Sequence, residues 1–131
     1  MRSRGFTLVE LLVVLAILGL LVALVGPLAA DRLDKARAQE DWLVLERTVT
    51  GLAFRAFAQG QPVELRATGT TLVWKAGGAD ERSLMLPHLF FDPPQVVTIN
   101  SNGIADPARL AVRQAGRERE LALNGWLDDG A

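Results

Sequence analysis

The sequence contains no cysteine, so neither a disulfide nor a thiolate metal site can hold its fold together. A basic surplus is also absent, because 14 lysines and arginines face 15 aspartates and glutamates, for a formal net charge of -1. Nucleic-acid-binding proteins usually carry an excess of positive charge, so this balance argues against that class. A domain without covalent cross-links has to be stabilised by the burial of apolar side chains.

Charged residues are missing altogether from Leu11 to Ala30. At a rise of about 1.5 Å per residue, a helix of about twenty residues spans about 30 Å, the thickness of the hydrocarbon core of a bilayer. Arg2 and Arg4 precede the run, and positive charge favours the cytoplasmic side. The pattern predicts one membrane-spanning helix with a cytoplasmic N-terminus, followed by about 100 residues that fold outside the membrane.

Two simple interpretations of this segment are a secretory signal peptide and a plain membrane anchor. The apolar run exceeds the roughly 7–15 residues of a typical signal peptide, and Leu28 is a poor residue three positions before a cleavage site. Glu10 fits neither interpretation. A carboxylate costs roughly 2.5–3.5 kcal/mol at the centre of a membrane helix, less near an end, and is usually paired and functional there.

The residues around Glu10 carry a specific resemblance. The stretch Gly5-Phe-Thr-Leu-Val-Glu10-Leu-Leu resembles the class III signal of type IV prepilins and type II secretion pseudopilins, and the resemblance covers about the first 30 residues. In that family an aspartic prepilin peptidase cuts after the glycine and methylates the new N-terminus. The resemblance implies cleavage between Gly5 and Phe6, N-methylation of Phe6, and Glu10 as the fifth residue of the mature chain.

Cleavage would supply a partner for Glu10. The new amine at Phe6 is cationic, and a carboxylate on a neighbouring subunit can pair with it in an apolar setting, which offsets the desolvation cost of both charges. We expect Glu10 to be that carboxylate, so that the pairing favours assembly in register.

Pro27 follows Gly26 near the end of the apolar run. A proline within a helix removes one hydrogen bond and bends the helix. Pilins have a helix-breaking proline at the matching place, so the resemblance implies an assembly role for Pro27. The alternative is that Pro27 marks the exit from the membrane.

Beyond Ala30 the sequence becomes amphipathic. Apolar residues recur at steps of three and four, with charged residues between them, which predicts a helix from about Asp31 to Gln59 that stops at Gly60. This helix should continue from the membrane segment. Its apolar stripe should pack on a sheet and consists of Trp42, Leu45, Val49, Leu52, Ala56 and Phe57.

The second half of the chain alternates between apolar and polar residues. Breaks between strands are expected at glycines and prolines, Pro93–Pro94 and Asn102–Gly103 among them. A terminal hairpin should turn at Ala115–Gly116, with Leu110, Val112, Leu121 and Leu123 on one side. The predicted strands are 63–66, 70–75, 83–86, 95–100, 109–113 and 118–123.

The predicted fold is α+β, with a long N-terminal helix, half transmembrane and half amphipathic, packed on an antiparallel β-sheet domain. The expected parts are a cleaved leader at 1–5, a transmembrane and assembly helix at 6–30, the amphipathic helix at 31–59 and a periplasmic β domain at 60–131. The second half also resembles the H-type (GspH/FimT-like) minor pseudopilins in the stretch 97–103 and the hairpin 109–124. It departs from them at Trp126, where an arginine is usual, and Trp126 serves either core closure or a subunit contact.

Three further residue groups contain residue types found in functional sites. His88 with Asp92 and Ser101 has the residue types of a catalytic triad, but nothing in the spacing supports one, and a surface or loop histidine is expected. Asp128 and Asp129, even with Asn124, offer too few oxygens for calcium, so a solvated acidic tail is expected.

The motif Gly116-Arg-Glu-Arg119 has the letters of a DNA-binding motif of FimT-like minor pilins, but it falls in a turn rather than at the tail. Glu118 and Glu120 interleave the arginines and would repel phosphates. A solvated hairpin face is the expected role, and nucleic acid is not an expected partner.

These features predict a minor pseudopilin of a type II secretion system, a subunit of a short periplasmic filament that promotes the export of folded proteins. The resemblance implies no enzymatic activity and no cofactor, and a single-pass position in the inner membrane with a periplasmic C-terminal domain. Expected partners are other pseudopilin subunits, the prepilin peptidase and methylase, the inner-membrane secretion platform and membrane lipid.

Two alternatives stay open. One is a minor type IV pilin with a role in pilus biogenesis, adhesion or DNA uptake, and the other is a membrane-anchored binding module that does not assemble. The absence of cysteine favours the pseudopilin over the pilin, because many pilins use a C-terminal disulfide.

Overall fold

The computed structural model describes residues 5–125. The chain divides into two compact units, residues 1–35 and 36–131. One helix, α1 (Leu8–Gln59), contributes to both units, and the strands all belong to the second unit.

In the first unit, α1 begins immediately after Thr7. The backbone N–H of Leu11 donates to the Thr7 carbonyl (3.1 Å), and the N–H of Glu10 donates to Thr7 Oγ1 (3.2 Å). Thr7 is therefore the N-cap, and the helix begins two residues later than the predicted start at Phe6. None of the residues from Leu8 to Ala30 is buried, and α1 is long and apolar enough to span a bilayer.

In the second unit, α1 buries one face against the sheet. The predicted stripe is confirmed from Trp42 to Ala56. Phe57 was wrongly placed on this stripe, because its side chain is 65% exposed. It follows the buried Ala56 by one residue, a rotation of about 100° that turns it away from the core. The buried helix residues are Ala38, Trp42, Leu45, Val49, Leu52, Ala53 and Ala56.

The helix ends where the sequence predicted. Gly60 has φ 64°, a left-handed conformation that glycine adopts at little cost, and its N–H donates to the Phe57 carbonyl (3.3 Å). Pro62 follows and leads directly into the first strand.

The strands form one antiparallel sheet with the spatial order β3-β2-β1-β4-β6-β7, and the short β5 pairs with β4. This arrangement confirms the predicted α+β fold. The strand bounds are β1 (Val63–Gly69), β2 (Thr71–Ala76), β3 (Arg82–Met85), β4 (Leu89–Ile99), β5 (Ala105–Asp106), β6 (Arg109–Gln114) and β7 (Arg117–Ala122).

The terminal hairpin of β6 and β7 matches its prediction. Ala115 (φ 49°) and Gly116 (φ 75°) both have positive φ, as a two-residue hairpin turn requires. Leu110 lies opposite Leu121, and both are buried. The other two apolar residues predicted to share this side, Val112 and Leu123, are buried as well.

The predicted strand boundary at Pro93–Pro94 was wrong, because both prolines lie inside β4. Its first residues, Leu89 and Phe90, pair with β6, whereas the stretch from Gln95 to Ile99 pairs with β1. The prolines lie where β4 changes partner and where its register with β1 shifts, so their missing N–H groups remove little from the ladder. The Gln95 amide then bonds to both the N–H and the carbonyl of Ala111 in β6 (2.8 Å each).

A continuous apolar core lies between the helix stripe and the sheet. Phe91 of β4 is its largest fully buried side chain, surrounded by leucines and valines from the strands and from α1. Among residues 5–125, no polar or charged side chain is fully buried. The second unit is thus held by apolar burial, as a chain without cysteine requires.

Candidate processing and assembly site

Gly5 and Phe6 lie outside the helix, in exposed chain without regular structure. Phe6 is 84% exposed, and no described neighbour lies within 4 Å of the position that a Cβ on Gly5 would occupy. The peptide bond between them is therefore accessible and free of helical hydrogen bonds. Exposed, non-helical segments are the preferred substrates of peptidases.

Glu10 lies in the first turn of α1. Its carboxylate is near the positive end of the helix dipole, which favours a negative charge. Within residues 5–125, no hydrogen bond or ion pair is made by this carboxylate; only the backbone N–H of Glu10 is engaged, with Thr7. Its charge is therefore available to a partner outside the described chain.

The Thr7–Glu10 contact was missed by the sequence analysis, although its signal is local. Threonine followed three residues later by glutamate, just before an apolar run, has the spacing of a capping box. The structure contains the half of that motif in which the threonine hydroxyl accepts from the backbone N–H three residues on.

The apolar surface that follows Glu10 is uncovered. Gly19 and Gly26 have nothing within 4 Å of an added Cβ, so they would admit the close approach of another helix. Pro27 lies inside α1, which continues through it. Since proline has no N–H, the carbonyl of Ala23 one turn earlier lacks its usual helical donor.

A second exposed apolar feature lies on the second unit and is called here the Phe54 groove. Phe54 (70% exposed) and Phe57 form one wall, and the turn at Asn102–Gly103 approaches from the other side. Gly103 has φ 79°, and a Cβ there would lie 2.9 Å from the Ala53 carbonyl oxygen, so glycine permits this close approach. The groove encloses about 290 Å³ and is lined by Thr50, Ala53, Phe54, Phe57, Asn102, Gly103 and Leu123.

His88 lies in the turn before β4, as a loop histidine was expected to. Its backbone N–H donates to Asp41 Oδ2 (2.9 Å), and its Nδ1 lies 3.1 Å from the same oxygen. The partner is thus a helix residue rather than Asp92, which lies near Arg113 (3.9 Å). This pair joins the β3–β4 turn to α1, which supports a structural role.

Three of the four arginines of the terminal hairpin have partners within the domain. Arg119 stacks over the Trp42 ring, with its guanidinium carbon 4.0 Å from the ring centroid, and also donates to Gln114. Arg109 pairs with Glu120 (3.1 Å), and Arg113 lies 3.9 Å from Glu118. Acidic or aromatic partners therefore accompany three of the four hairpin arginines, including Arg119 of the Gly116–Arg119 motif.

Other predicted residues fall at the C-terminal boundary. Trp126, Asp128 and Asp129 lie outside the described residues. Asn124 lies within them, and its side-chain amide bonds to both the N–H (2.8 Å) and the carbonyl (2.9 Å) of Ala105. In the part of the chain from 5 to 125, no group of three potential metal ligands comes together.

Comparison with known proteins finds a family motif that covers the candidate processing site. Residues 1–26 match the model of the prokaryotic N-terminal methylation motif. This match indicates a type IV pilin-like protein, and the apolar helix after Glu10 fits the single-pass membrane anchor of such a protein.

Part of the chain is similar in sequence to a fimbrial protein. The chain is 39% identical over 51 residues to the fimbrial protein EcpB of Eikenella corrodens. The match covers 39% of this chain and 32% of EcpB, so the chain spans about a third of the relative's length. No solved structure matches the chain.

Proposed function

We propose that this chain is a minor pseudopilin of a type II secretion system, which assembles into a short periplasmic filament and promotes the export of folded proteins. It performs no catalysis itself and needs no cofactor. One observation supports the pilin-like part of the proposal: an exposed Gly5–Phe6 peptide and an available Glu10 carboxylate directly precede an uncovered apolar helix, within a match to the N-terminal methylation motif. The type II secretion part is supported by the absence of cysteine, because many pilins use a C-terminal disulfide.

Processing is the first step of the proposed function. A prepilin peptidase cleaves between Gly5 and Phe6 and methylates the new N-terminus of Phe6. Cleavage removes Arg2 and Arg4 from the 14 basic residues, which leaves 12 basic against 15 acidic residues and a formal net charge of -3. The subunit stays in the inner membrane with its C-terminal domain in the periplasm until it assembles.

Assembly is the second step. The Glu10 carboxylate of one subunit pairs with the Phe6 amine of its neighbour, because neither charge is solvated when the apolar helices pack together. Pro27 leaves the Ala23 carbonyl without a helical donor, which favours local unwinding of the helix there during packing. The surface of residues 8–30 exchanges membrane lipid for other pseudopilin subunits as the subunit leaves the inner-membrane secretion platform.

The Phe54 groove provides a second contact in this proposal. Large aromatic side chains exposed beside a concave apolar surface are typical of protein interfaces. A neighbouring subunit of the filament would cover Phe54 and Phe57 outside the membrane.

A second candidate is a minor type IV pilin, and the similarity to a fimbrial protein favours it. The absence of cysteine favours the pseudopilin. A deletion strain separates them when exoprotein secretion and twitching motility are both scored and the gene is restored. Loss of secretion with normal twitching supports the pseudopilin, and the reverse result supports the pilin.

DNA uptake is the least supported role of a minor pilin for this chain, because the hairpin arginines have acidic and aromatic partners.

A membrane-anchored module that never assembles is the remaining alternative. Because the chain has no native cysteine, a single Gly19→Cys substitution gives an unambiguous crosslinking site in the apolar helix. A filament subunit should crosslink through this position when the secretion system is present and not in its absence. Lys75→Cys on an exposed strand position serves as the control for random collision.

A further inference from the structure

We propose that Thr7 is a positioning residue for leader cleavage: as the N-cap of α1, it holds the Gly5–Phe6 peptide outside the helix, in the form that the peptidase can bind. The inference rests on the proposed function, which places the cleavage at this peptide bond.

The contacts of Thr7 fix the start of the helix. Its hydroxyl accepts from the N–H of Glu10 (3.2 Å), and its carbonyl accepts from the N–H of Leu11 (3.1 Å). The three residues from Gly5 to Thr7 lie outside the helix, and α1 starts at Leu8. The boundary between non-helical chain and helix therefore lies between Thr7 and Leu8, two residues after the Gly5–Phe6 peptide bond.

Without the Thr7 hydroxyl, the first amides of the helix need another acceptor. In an α-helix each N–H bonds to the carbonyl four residues earlier, so Glu10 would bond to Phe6 and Val9 to Gly5. In an apolar environment an unsatisfied N–H is costly, which favours this extension over fraying of the first turn. Extension would place the carbonyls on both sides of the cleavage site within the helix.

A helical peptide is a poor substrate for hydrolysis. Water has to add to the carbonyl carbon of Gly5, the Gly5 C–Phe6 N bond breaks, and the proton lost by the new carboxylic acid is taken up by the Phe6 amine. In a helix the Gly5 carbonyl is already hydrogen-bonded and its carbon is screened by the adjacent turn. Gly5, a poor helix former, and Thr7, a good cap, act together against that state.

The test compares side chains at Thr7 that differ in capping ability and in shape. Thr7→Ser and Thr7→Asn keep a capping oxygen, whereas Thr7→Val keeps the shape of threonine without an acceptor. The full-length chains are incubated in membranes with a prepilin peptidase, and leader removal is followed over time. We expect the serine and asparagine variants to be cleaved within about twofold of the natural chain, and the valine variant about fivefold more slowly.

The opposite ranking would overturn the inference. If the valine variant is cleaved like the natural chain and the asparagine variant slowly, the peptidase recognises the shape of threonine and the cap has no role. Equal rates for all four chains also contradict it.

A second measurement keeps this test separate from the proposed function. Backbone chemical shifts of the full chain in detergent should move toward helical values at Gly5 and Phe6 in Thr7→Val and remain non-helical in Thr7→Asn. Unchanged shifts in Thr7→Val would overturn the capping role even if cleavage slows. If the natural chain itself resists the peptidase, the proposed function fails, and the shifts still decide whether Thr7 sets the start of the helix.

Discussion

Glu10 is the residue on which assembly depends in this account. A charged carboxylate at the edge of an apolar segment is unfavourable unless it is solvated or paired, and within residues 5–125 the structure gives it no pairing. In the proposed filament, the Phe6 amine of a neighbouring subunit would offset this cost. The same residue contributes its backbone N–H to the start of the helix, so substitutions that keep the backbone in place separate the two roles.

Replacement of Glu10 by glutamine should block incorporation into the filament while leaving processing intact. Glutamine keeps the shape and the backbone N–H but leaves the Phe6 amine without a counter-charge, a loss of about 3–5 kcal/mol for a desolvated pair. The measurement is the fraction of cleaved subunit recovered in sheared filaments of a strain with the complete assembly system. Glu10→Asp, which keeps the charge, is the control and should be less impaired. Equal incorporation of Glu10→Gln and the natural chain would contradict the pairing.

At the scale of elements, the apolar stripe of α1 stabilises the second unit by burial against the sheet. Leu45 is fully buried in the core, whereas Leu43, two residues earlier, is 42% exposed. The two leucines have the same side chain and the same helix propensity, so they form a matched pair.

Leu45→Ala should reduce the free energy of unfolding by about 2–5 kcal/mol, and Leu43→Ala by less than about 1 kcal/mol. The larger loss combines the transfer of a buried side chain with the cavity left behind. Urea denaturation of the full chain in detergent, followed by near-ultraviolet circular dichroism, gives both values. Similar losses for the two variants would mean that the stripe does not face the core.

Periodicity predicted the elements with many repeats and missed those with few. The helix stripe and the β6–β7 hairpin follow from spacing over several residues. The hairpin is confirmed, and the stripe is confirmed except at Phe57. Strand β5 has only two residues and therefore leaves no alternation to detect. The first half of β4 was missed because Pro93–Pro94 resembles a break, and only the change of partner strands makes the prolines tolerable there.

At the candidate sites too, features set by neighbouring residues could be predicted from the sequence, and a feature set by distant residues could not. The positions of Gly5, Phe6 and Glu10 follow from the sequence motif, whereas their cleavage, methylation and pairing stay predictions. The Thr7 cap was detectable from its spacing to Glu10. The Phe54 groove was not, because it needs Gly103, distant in sequence, to approach Ala53.

At the scale of the whole molecule, two exposed apolar surfaces need partners. The helix surface of residues 8–30 is explained by lipid and by other subunits. The Phe54 groove lies on the second unit, where a domain that acts alone would expose aromatic side chains to water without benefit.

Phe57→Ser should weaken subunit assembly without unfolding the domain. Because Phe57 is mostly exposed, we expect a change of less than about 1 kcal/mol in the free energy of unfolding. Co-purification of partner subunits with a tagged chain should fall several-fold. Arg55→Ser is the control, since Arg55 is exposed on the same part of α1 and does not line the groove. If both variants retain the partners equally, the groove is not an assembly contact.

The identity of the mature N-terminus tests the central claim most directly. The chain is purified from its own cell envelope with the prepilin peptidase present, and its intact mass and first residues are determined by mass spectrometry. We expect a chain that begins at Phe6 and carries one added methyl group. A chain that still begins at Met1 would contradict cleavage, and with it the pairing of Glu10 and the assembly that depends on it.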